Sequence, residues 1–334
     1  MNVTFYIEDN KYKGNITRKQ ILEVVNPVTQ FNLRQDYEYL NHFLMQKMNE
    51  NNSISLGQEN FSARVFELSF NAEKNSYCVS MPLPCSYADF TVVFDFIKKL
   101  CAFLENNKVI TGDGKEYTTD KDNFKAVFDF FNIVSAKLGK NKGQAEDSEE
   151  NTVENIERYP LREVIISSLK QTFETLKMQT NKDTIEISGI IRPVLFNEKM
   201  LTDIISSNDP VKNFSEFITD IQYLDAYSAN QKIYSGKYAA IYTLKENETT
   251  VLPFKPKVET DALLRVKKED VCYFKIIFLS ADSDVNDIKS YNELGSMKYA
   301  EFIEKLPKEK YKFIDANQIL IEGLSRKEIE SLLA

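Results

Sequence analysis

The most specific chemical motif in this 334-residue chain is an acidic loop with the spacing of an EF-hand calcium loop. Such a loop binds Ca²⁺ through side-chain oxygens at positions 1, 3, 5 and 12 and through the backbone carbonyl at position 7. The pattern therefore predicts one candidate metal site, with calcium as the ion. Its residues are Asp282, Asp284, Asn286, Ile288 through its carbonyl, and Glu293.

Two residues of this loop depart from the calcium-binding pattern. Asp287 stands where a glycine normally makes the sharp turn, and Lys289 stands where an apolar residue is usual. The preceding residues, 271–279, look more like a strand, whereas an EF-hand needs an incoming helix. An ordinary acidic surface loop is the alternative interpretation, and the sequence favours it. Apart from calcium, no cofactor is predicted.

Carboxylates could also support catalysis without any other motif. Glycosidases and magnesium-dependent hydrolases use acidic residues that can be far apart in sequence. The chain has 50 Asp and Glu residues, and most side chains of this kind lie on solvated surfaces. The sequence therefore names candidates without ranking them. They are Asp89, Asp95, Asp120 and Asp122.

The single histidine and the unpaired cysteines exclude several reaction classes. His42 falls on the polar side of a helix predicted over 36–48, so we expect it to face solvent rather than a catalytic cleft. With a single histidine in a position predicted to be exposed, the chain is a poor candidate for Ser-His-Asp catalysis and for metal sites built on several histidines. The cysteines form no Cys-x-x-Cys pair, so we predict buried, unreactive thiols and no zinc site. They are Cys78, Cys85, Cys101 and Cys272.

Two further features could bind an anion. The segment 112–115, Gly-Asp-Gly-Lys, lacks the first glycine and the Ser or Thr of a phosphate-binding loop and lies between two short strands. It is predicted to be a hairpin turn. Arg192, before Pro193 in an apolar strand, could anchor an anion, but pairing with an acid or extending to solvent is favoured.

The order of helices and strands predicts an α+β fold. Residues 64–83 alternate as a β-hairpin, and a capping box of Ser86 and Asp89 begins a helix over 87–104. A second hairpin is predicted over 237–254. Because helices and hairpins are interspersed without regular βαβ alternation, we expect antiparallel or mixed sheets with packed amphipathic helices.

Two domains are predicted, and the first contains a candidate repeat. Residues 90–104 and 124–138 share a Phe-rich pattern and each follows a hairpin. They are either a duplicated ββα unit or two core helices that resemble each other by chance. Residues 140–155 are polar, charged and nearly free of apolar residues, which predicts an exposed linker. The domains are then 1–139 and 156–334, both α+β.

Charge and targeting signals limit the partners and the compartment. The net charge of −8 and the pI of about 5.1 argue against nucleic acid or an anionic membrane as a partner. The N-terminus lacks the basic region and the continuous apolar region of a secretory signal. No segment reaches the roughly 20 apolar residues that a membrane span requires. Together with the unpaired cysteines, this predicts a cytoplasmic protein.

Three segments resemble a known family. They are Thr4-Phe-Tyr-Ile-Glu, the helix start that follows Pro84, and Gly189-Ile-Ile-Arg-Pro193. In these segments the chain resembles an uncharacterised family of bacterial cytoplasmic proteins, classified as a domain of unknown function. The likeness covers most of the chain, and its motifs are structural. It implies a bacterial cytoplasmic protein and implies no activity, cofactor or site.

The sequence favours a non-catalytic protein-interaction or regulatory module. Such a module would bind another protein through apolar patches beside sheet edges. The alternative is a carboxylate-based enzyme that depends on a divalent metal. Three or more acidic side chains converging in a cleft would favour the alternative. The sequence does not predict the oligomeric state.

Overall fold

A computed structural model describes residues 2–31, 37–49, 53–112, 114, 116–119, 153–179, 182–229, 232–234, 239–258, 271 and 273–334. They fall into two units, Met1–Tyr223 and Leu224–Ala334. The linker predicted over 140–155 lies outside the described residues except for its last three, which begin a helix, so a domain division there stays a prediction. No helix in the described ranges is both long and apolar enough to cross a bilayer.

Several helices begin at side chains that cap their free N–H groups. Ser86 and Ser325 each form a capping box with an acidic residue three positions on, which confirms the helix start predicted at Ser86. The described α-helices are α1 (Arg18–Val24), α2 (Tyr37–Met45), α3 (Tyr87–Leu104), α4 (Val153–Met178), α5 (Glu198–Ile205), α6 (Pro210–Gln222), α7 (Tyr299–Lys305) and α8 (Arg326–Leu333).

The first unit is built on an antiparallel sheet. Its strands are β1 (Asn2–Glu8), β2 (Thr29–Gln30), β3 (Ile54–Gly57), β4 (Phe66–Asn71), β5 (Ser76–Pro82), β6 (Lys108–Thr111) and β7 (Glu116–Thr118), with a separate pair β8 (Thr184–Ile187) and β9 (Val194–Asn197). The seven strands lie in the order β2-β3-β4-β5-β1-β6-β7. The β4–β5 hairpin is confirmed, and so is the β6–β7 hairpin around 112–115. The second copy of the candidate repeat, 124–138, lies outside the described residues.

Helix α3 packs against this sheet through phenylalanine rings. The Phe94 ring meets Phe5 of β1 edge to face with centroids 6.2 Å apart, and Phe96 meets Phe66 of β4 at 4.9 Å. Burying a side chain of this size contributes about 2–3 kcal/mol, and an aromatic pair adds about 1 kcal/mol. The rings of Phe94 and Phe96 therefore hold the helix on the sheet.

The second unit contains two four-stranded sheets. Its strands are β10 (Tyr227–Ser228), β11 (Lys232–Tyr234), β12 (Ala239–Lys245), β13 (Thr250–Pro253), β14 (Tyr273–Leu279), β15 (Glu293–Lys298), β16 (Tyr311–Phe313) and β17 (Gln318–Ile321). One sheet has the order β10-β13-β17-β16 and the other β11-β12-β14-β15. Both are mixed, because β10 runs parallel to β13 and β12 parallel to β14. The predicted α+β class with antiparallel or mixed sheets is confirmed.

The hairpin predicted over 237–254 is wrong. Strands β12 and β13 are adjacent in sequence, but β12 pairs with β14 and β13 pairs with β17 in the other sheet. The connecting turn explains the difference. The Glu246 N–H donates to the Leu279 carbonyl, and the Asn247 N–H donates to the Leu324 carbonyl, each at 2.9 Å. Apart from one bond within the turn, from the Glu248 N–H to the Lys245 carbonyl at 3.3 Å, these bonds tie the turn to distant segments.

Candidate functional site

The predicted calcium loop is closed by its own hydrogen bonds. The Asp282 carboxylate accepts a hydrogen bond from the Ser280 hydroxyl, and Asp284 Oδ1 accepts one from the Asn286 N–H at 2.9 Å. Ile288 begins a short 3₁₀ turn, and Glu293 begins β15. One oxygen of each carboxylate thus accepts a hydrogen bond within the loop, and calcium binding here stays a prediction.

Asp89 is the most constrained of the candidate carboxylates. It is 3 % exposed and accepts hydrogen bonds from the N–H groups of Ser86, Ala63 and Arg64 at 2.7, 2.8 and 3.0 Å. Burial raises the pKa of Asp89 above its ordinary value, and the hydrogen bonds oppose that rise. The crevice beside the carboxyl group is too narrow to admit a water molecule. Asp89 therefore fastens residues 63–64 to the start of α3.

The other catalytic candidates do not gather around Asp89. Asp95 lies on the exposed side of α3 and forms an ion pair with Lys99, with Oδ2 and Nζ 2.7 Å apart. Asp120 and Asp122 lie outside the described residues. His42 is exposed on α2, as the sequence predicts. Across the described part of the chain, no three His, Cys, Asp or Glu side chains are placed to hold a metal ion.

The described cysteines have the surroundings of unreactive thiols. Cys85 and Cys101 are buried, and Cys78 is partly buried. Burial raises the pKa of all three thiols, that of Cys101 to about 12, and a thiol that stays protonated is a poor nucleophile. The predicted burial is confirmed for Cys85 and Cys101, whereas Cys78 is only partly buried, and the lack of reactivity stays a prediction. Cys272 lies outside the described residues.

Arg192 lies in the loop 188–193, which joins β8 to β9 and packs on α6. The Gln222 side-chain carbonyl accepts hydrogen bonds from the N–H groups of Ile191 and Arg192, each at 2.9 Å. Arg192 is 5 % exposed, so it does not extend to solvent. Burial lowers the pKa of its guanidinium. The backbone bonds to Gln222 hold the loop down, and this burial could not be predicted from the loop's own sequence.

The same loop joins two of the segments that carry the family resemblance. Arg64 donates from Nε to the Ser188 carbonyl at 2.9 Å and from Nη1 to the Pro84 carbonyl at 2.6 Å. The Ile190 N–H donates to the Ala63 carbonyl at 2.9 Å. The helix start after Pro84 and the Gly189–Pro193 segment thus meet at residues 63–64. These contacts are structural, because they join backbone segments to one another.

The second unit has an open polar groove of about 590 Å³, lined by residues 224–227 and 245–249. Three carboxylates line it: Asp225, Glu246 and Glu248. One of them is already neutralised, because Arg326 Nη2 lies 3.3 Å from Glu246 Oε2. Of the other two, Asp225 is exposed, and Glu248 is half-buried with its Oε2 shielded from solvent. The groove therefore offers negative charge without a cluster of ligands.

The outer strand of one sheet offers a different kind of site. β16 is the last strand in the order β10-β13-β17-β16 and pairs only on its β17 side among the described strands. The Glu322 N–H donates to the Lys310 carbonyl at 2.9 Å on that side. Because bonding residues alternate along an antiparallel strand, Lys312 also bonds toward β17. The N–H and C=O groups of Tyr311 and Phe313 therefore point outward.

Three aromatic rings lie beside this outward edge, and we call them the aromatic ledge (Phe254, Tyr311 and Phe313). Phe313 lies 4.9 Å from Phe254 and 6.1 Å from Tyr311 between ring centroids. Phe254 and Tyr311 pack against the core of the second unit, whereas Phe313 is 53 % exposed. The three rings of the aromatic ledge are thus in contact with one another, with two of them packed on the core and the third, Phe313, exposed to solvent.

Lysines surround the edge. Residues 308–313 contain Lys308, Lys310 and Lys312 and a single acid, Glu309. Lys310 Nζ lies 2.7 Å from Glu328 Oε1, and this hydrogen-bonded ion pair raises the pKa of Lys310. Lys308 and Lys312 are exposed, and within the described residues neither takes part in an ion pair. A basic strip therefore follows the open edge of an acidic protein.

The sequence analysis did not predict β16. Three residues are too few for a periodicity signal, and the lysines in this segment indicate an exposed turn. A signal is nevertheless present, because Tyr311-Lys-Phe313 alternates and a turn containing Asp315 separates it from the strand predicted near 318–321. Exposure of the Phe313 ring could not be inferred from that signal.

The fold and the edge define a two-unit α+β protein with an open strand in its second unit. A family model, domain of unknown function DUF4299, matches residues 2–130 and 121–332, nearly the whole length. The chain belongs to this family, as its resemblance implied. No curated protein and no solved structure matches the chain.

Proposed function

We propose that this protein is a non-catalytic interaction module that binds another protein at the outer edge of β16. An extended segment of the partner would add to the sheet as a further strand. The observation that carries the proposal is the outward-facing backbone of Tyr311 and Phe313 beside the exposed Phe313 ring. Edge strands with free N–H and C=O groups bind extended peptides through main-chain hydrogen bonds, and nearby pockets or rings select their side chains.

The environment of the catalytic candidates supports a non-catalytic role. Asp89 is used to fasten the start of α3, and Asp95 is paired with Lys99 on an exposed helix face. No second acid lines the crevice beside Asp89, and burial raises the pKa of the described thiols. Reduced cysteines suit a reducing compartment, so we propose that the module acts in the cytoplasm.

Site-specific photocrosslinking tests this proposal. Phe313 is replaced by p-benzoylphenylalanine in the full chain, produced in the cells that normally make it, and the adducts are identified by mass spectrometry. Tyr273 provides the matched control, because it is an aromatic residue of the same unit with 40 % exposure and lies on β14, away from the β16 edge.

The proposal predicts one dominant adduct at position 313 that maps to a single short segment of one partner. Main-chain pairing fixes the register, so the crosslink should fall on one or two adjacent residues of that segment. Position 273 should give no such adduct. Equal, dispersed labelling at both positions would contradict the proposal, because it would indicate collisions rather than binding at the edge.

A further inference from the structure

The charge pattern around β16 identifies the class of segment that the edge accepts. We infer that the partner segment is an acidic strand in which carboxylate side chains alternate with apolar ones. This inference rests on the proposed function, since it specifies the partner of the same edge. It follows from the two faces of β16, from the charges at its two ends and from the repulsion between two copies.

The two faces of β16 differ in chemistry. Successive side chains of a strand point to opposite faces, so Tyr311 and Phe313 share the face of the aromatic ledge and Lys312 lies on the other face. An added strand alternates in the same way and places its side chains opposite those of β16. Apolar side chains therefore fit beside Phe313, and an acidic side chain fits beside Lys312.

A lysine lies near each end of the edge, and Asp315, the acid of the β16–β17 turn, is buried and accepts hydrogen bonds from the N–H groups of Asn317 and Gln318. Lys308 precedes the strand and is exposed. At the other end, the Lys255 N–H donates to Asn317 Oδ1 at 2.9 Å, and Asn317 Nδ2 donates to the Lys255 carbonyl at 3.1 Å. These bonds tie Lys255, which is also exposed, to the turn between β16 and β17. The basic charge thus extends past both ends of the three-residue strand.

Among the described residues, the acidic groups near this edge form no ion pair with three of its lysines. Glu309 is the single acid within 308–313, and it faces a segment with three lysines. Glu322 and Glu328 lie near Lys310, and Glu328 is engaged by it in the ion pair. Lys308, Lys312 and Lys255 therefore remain available to carboxylates of a partner.

A second copy of the chain is a poor occupant of this edge. Antiparallel pairing of two β16 edges would place Lys312 of one copy beside Lys312 of the other, and like charges directly opposite each other destabilise a strand pair. Lysines on an edge strand are a general means of preventing such self-association. The same lysines attract an acidic strand, so the pattern discriminates between the two occupants.

Selection from a library of random decapeptides displayed on phage tests the inference on the full-length protein. Enriched peptides are synthesised, and their Kd values are measured by fluorescence anisotropy. Lys312→Glu should weaken binding about tenfold, because attraction is replaced by repulsion at one cross-strand pair. Lys289→Glu is the matched control. It makes the same charge change at an exposed residue of the same unit, and Kd should stay within about twofold.

A second pair of variants isolates the main-chain bond. Phe313→Ala and Phe313→Pro both remove the ring, but only proline also removes the outward N–H, and edge strands tolerate proline at such a position. Proline should weaken binding about fivefold more than alanine, which is the effect of one hydrogen bond. Near-ultraviolet circular dichroism and melting temperature confirm that both variants are folded.

The outcomes separate the two proposals. Enriched peptides that alternate acidic and apolar residues support the inference. Enriched peptides that are neutral or basic, yet bind Phe313→Pro more weakly than Phe313→Ala, would refute the acidic class. They would still support strand addition at the β16 edge. Peptides that bind both Phe313 variants equally, or a selection that yields none, would refute edge addition itself. A dimer in sedimentation that Phe313→Pro dissociates would assign the edge to a second copy and overturn the inference.

Discussion

Replacing Asp89 by asparagine isolates the contribution of one buried carboxylate to the first unit. Asparagine has nearly the same shape but only one acceptor oxygen, and its NH₂ group is a donor. In the wild type, Oδ1 accepts from Ala63 and Arg64 and Oδ2 accepts from Ser86. Whichever way the amide is oriented, it turns a donor toward at least one of these N–H groups.

The expected cost follows from that mismatch. Losing a hydrogen bond to a charged acceptor and leaving a buried N–H unpaired costs about 3–5 kcal/mol together. A neutral side chain is easier to bury than a carboxylate, which offsets about 1–2 kcal/mol. We therefore expect Asp89→Asn to lower the free energy of unfolding by about 2–3 kcal/mol.

Asp95→Asn is the matched control on the same helix. It makes the same chemical change at a half-exposed ion pair with Lys99, where the expected cost is below about 0.5 kcal/mol. Urea unfolding followed by tyrosine fluorescence suits this chain, which has 17 tyrosines and no tryptophan. Hydrogen exchange measured by mass spectrometry locates the effect, and peptides that contain Ala63 and Ser86 should exchange faster in Asp89→Asn alone. Equal costs for the two variants would refute the structural role of Asp89.

Two further predictions concern a glycine and an acid pair. A Cβ at Gly189 would lie 2.3 Å from the Arg192 carbonyl oxygen, whereas at Gly112 the nearest atom is 3.7 Å away, so Gly189→Ala should cost about 2 kcal/mol or more and Gly112→Ala much less in urea unfolding. The hydrogen bond from Lys310, followed by the helix-capping bonds, lowers the pKa of Glu328 to about 2. A carboxyl group with a depressed pKa stabilises the fold above its unfolded pKa and loses this effect as the pH falls toward the folded value. Between about pH 5 and pH 2, the melting temperature of the wild type should therefore fall more than that of Glu328→Gln, and parallel curves would contradict the assignment.

Local signals made part of the fold predictable. The β4–β5 hairpin follows from alternation on both sides of one turn, and α3 begins at the Ser86–Asp89 capping box that the sequence displays. Each signal involves residues that are close in sequence. The interactions that stabilise the hairpin and the helix start are therefore visible in the local pattern. The same locality explains why His42 could be assigned to an exposed helix face.

Long-range pairing made the rest unpredictable. Strands β12 and β13 look like a hairpin, yet each pairs with a strand that lies more than thirty residues away along the chain. The second role of Asp89 depends on Ala63 and Arg64, which precede it by 26 and 25 residues. The sequence around Asp89 does not show whether this residue is a catalytic acid or a helix-capping residue that also binds a distant segment. The sequence therefore identifies Asp89 as a candidate but does not identify Ala63 and Arg64 as its hydrogen-bond partners.

The β16 edge combines lysines and short length, which protect an edge strand from self-pairing, with an exposed aromatic ring, which does not serve that protection. Lysines and short length prevent self-pairing, and an edge built for protection alone gains nothing from an exposed aromatic ring. Phe313 is 53 % exposed beside Phe254, so further burial of this ring is still available to a bound segment. In the proposed complex, we expect the lysines to disfavour a second copy and the Phe313 ring to pack against a bound acidic segment. The proposal therefore predicts that charge determines selectivity at this edge, whereas the backbone and the ring determine affinity.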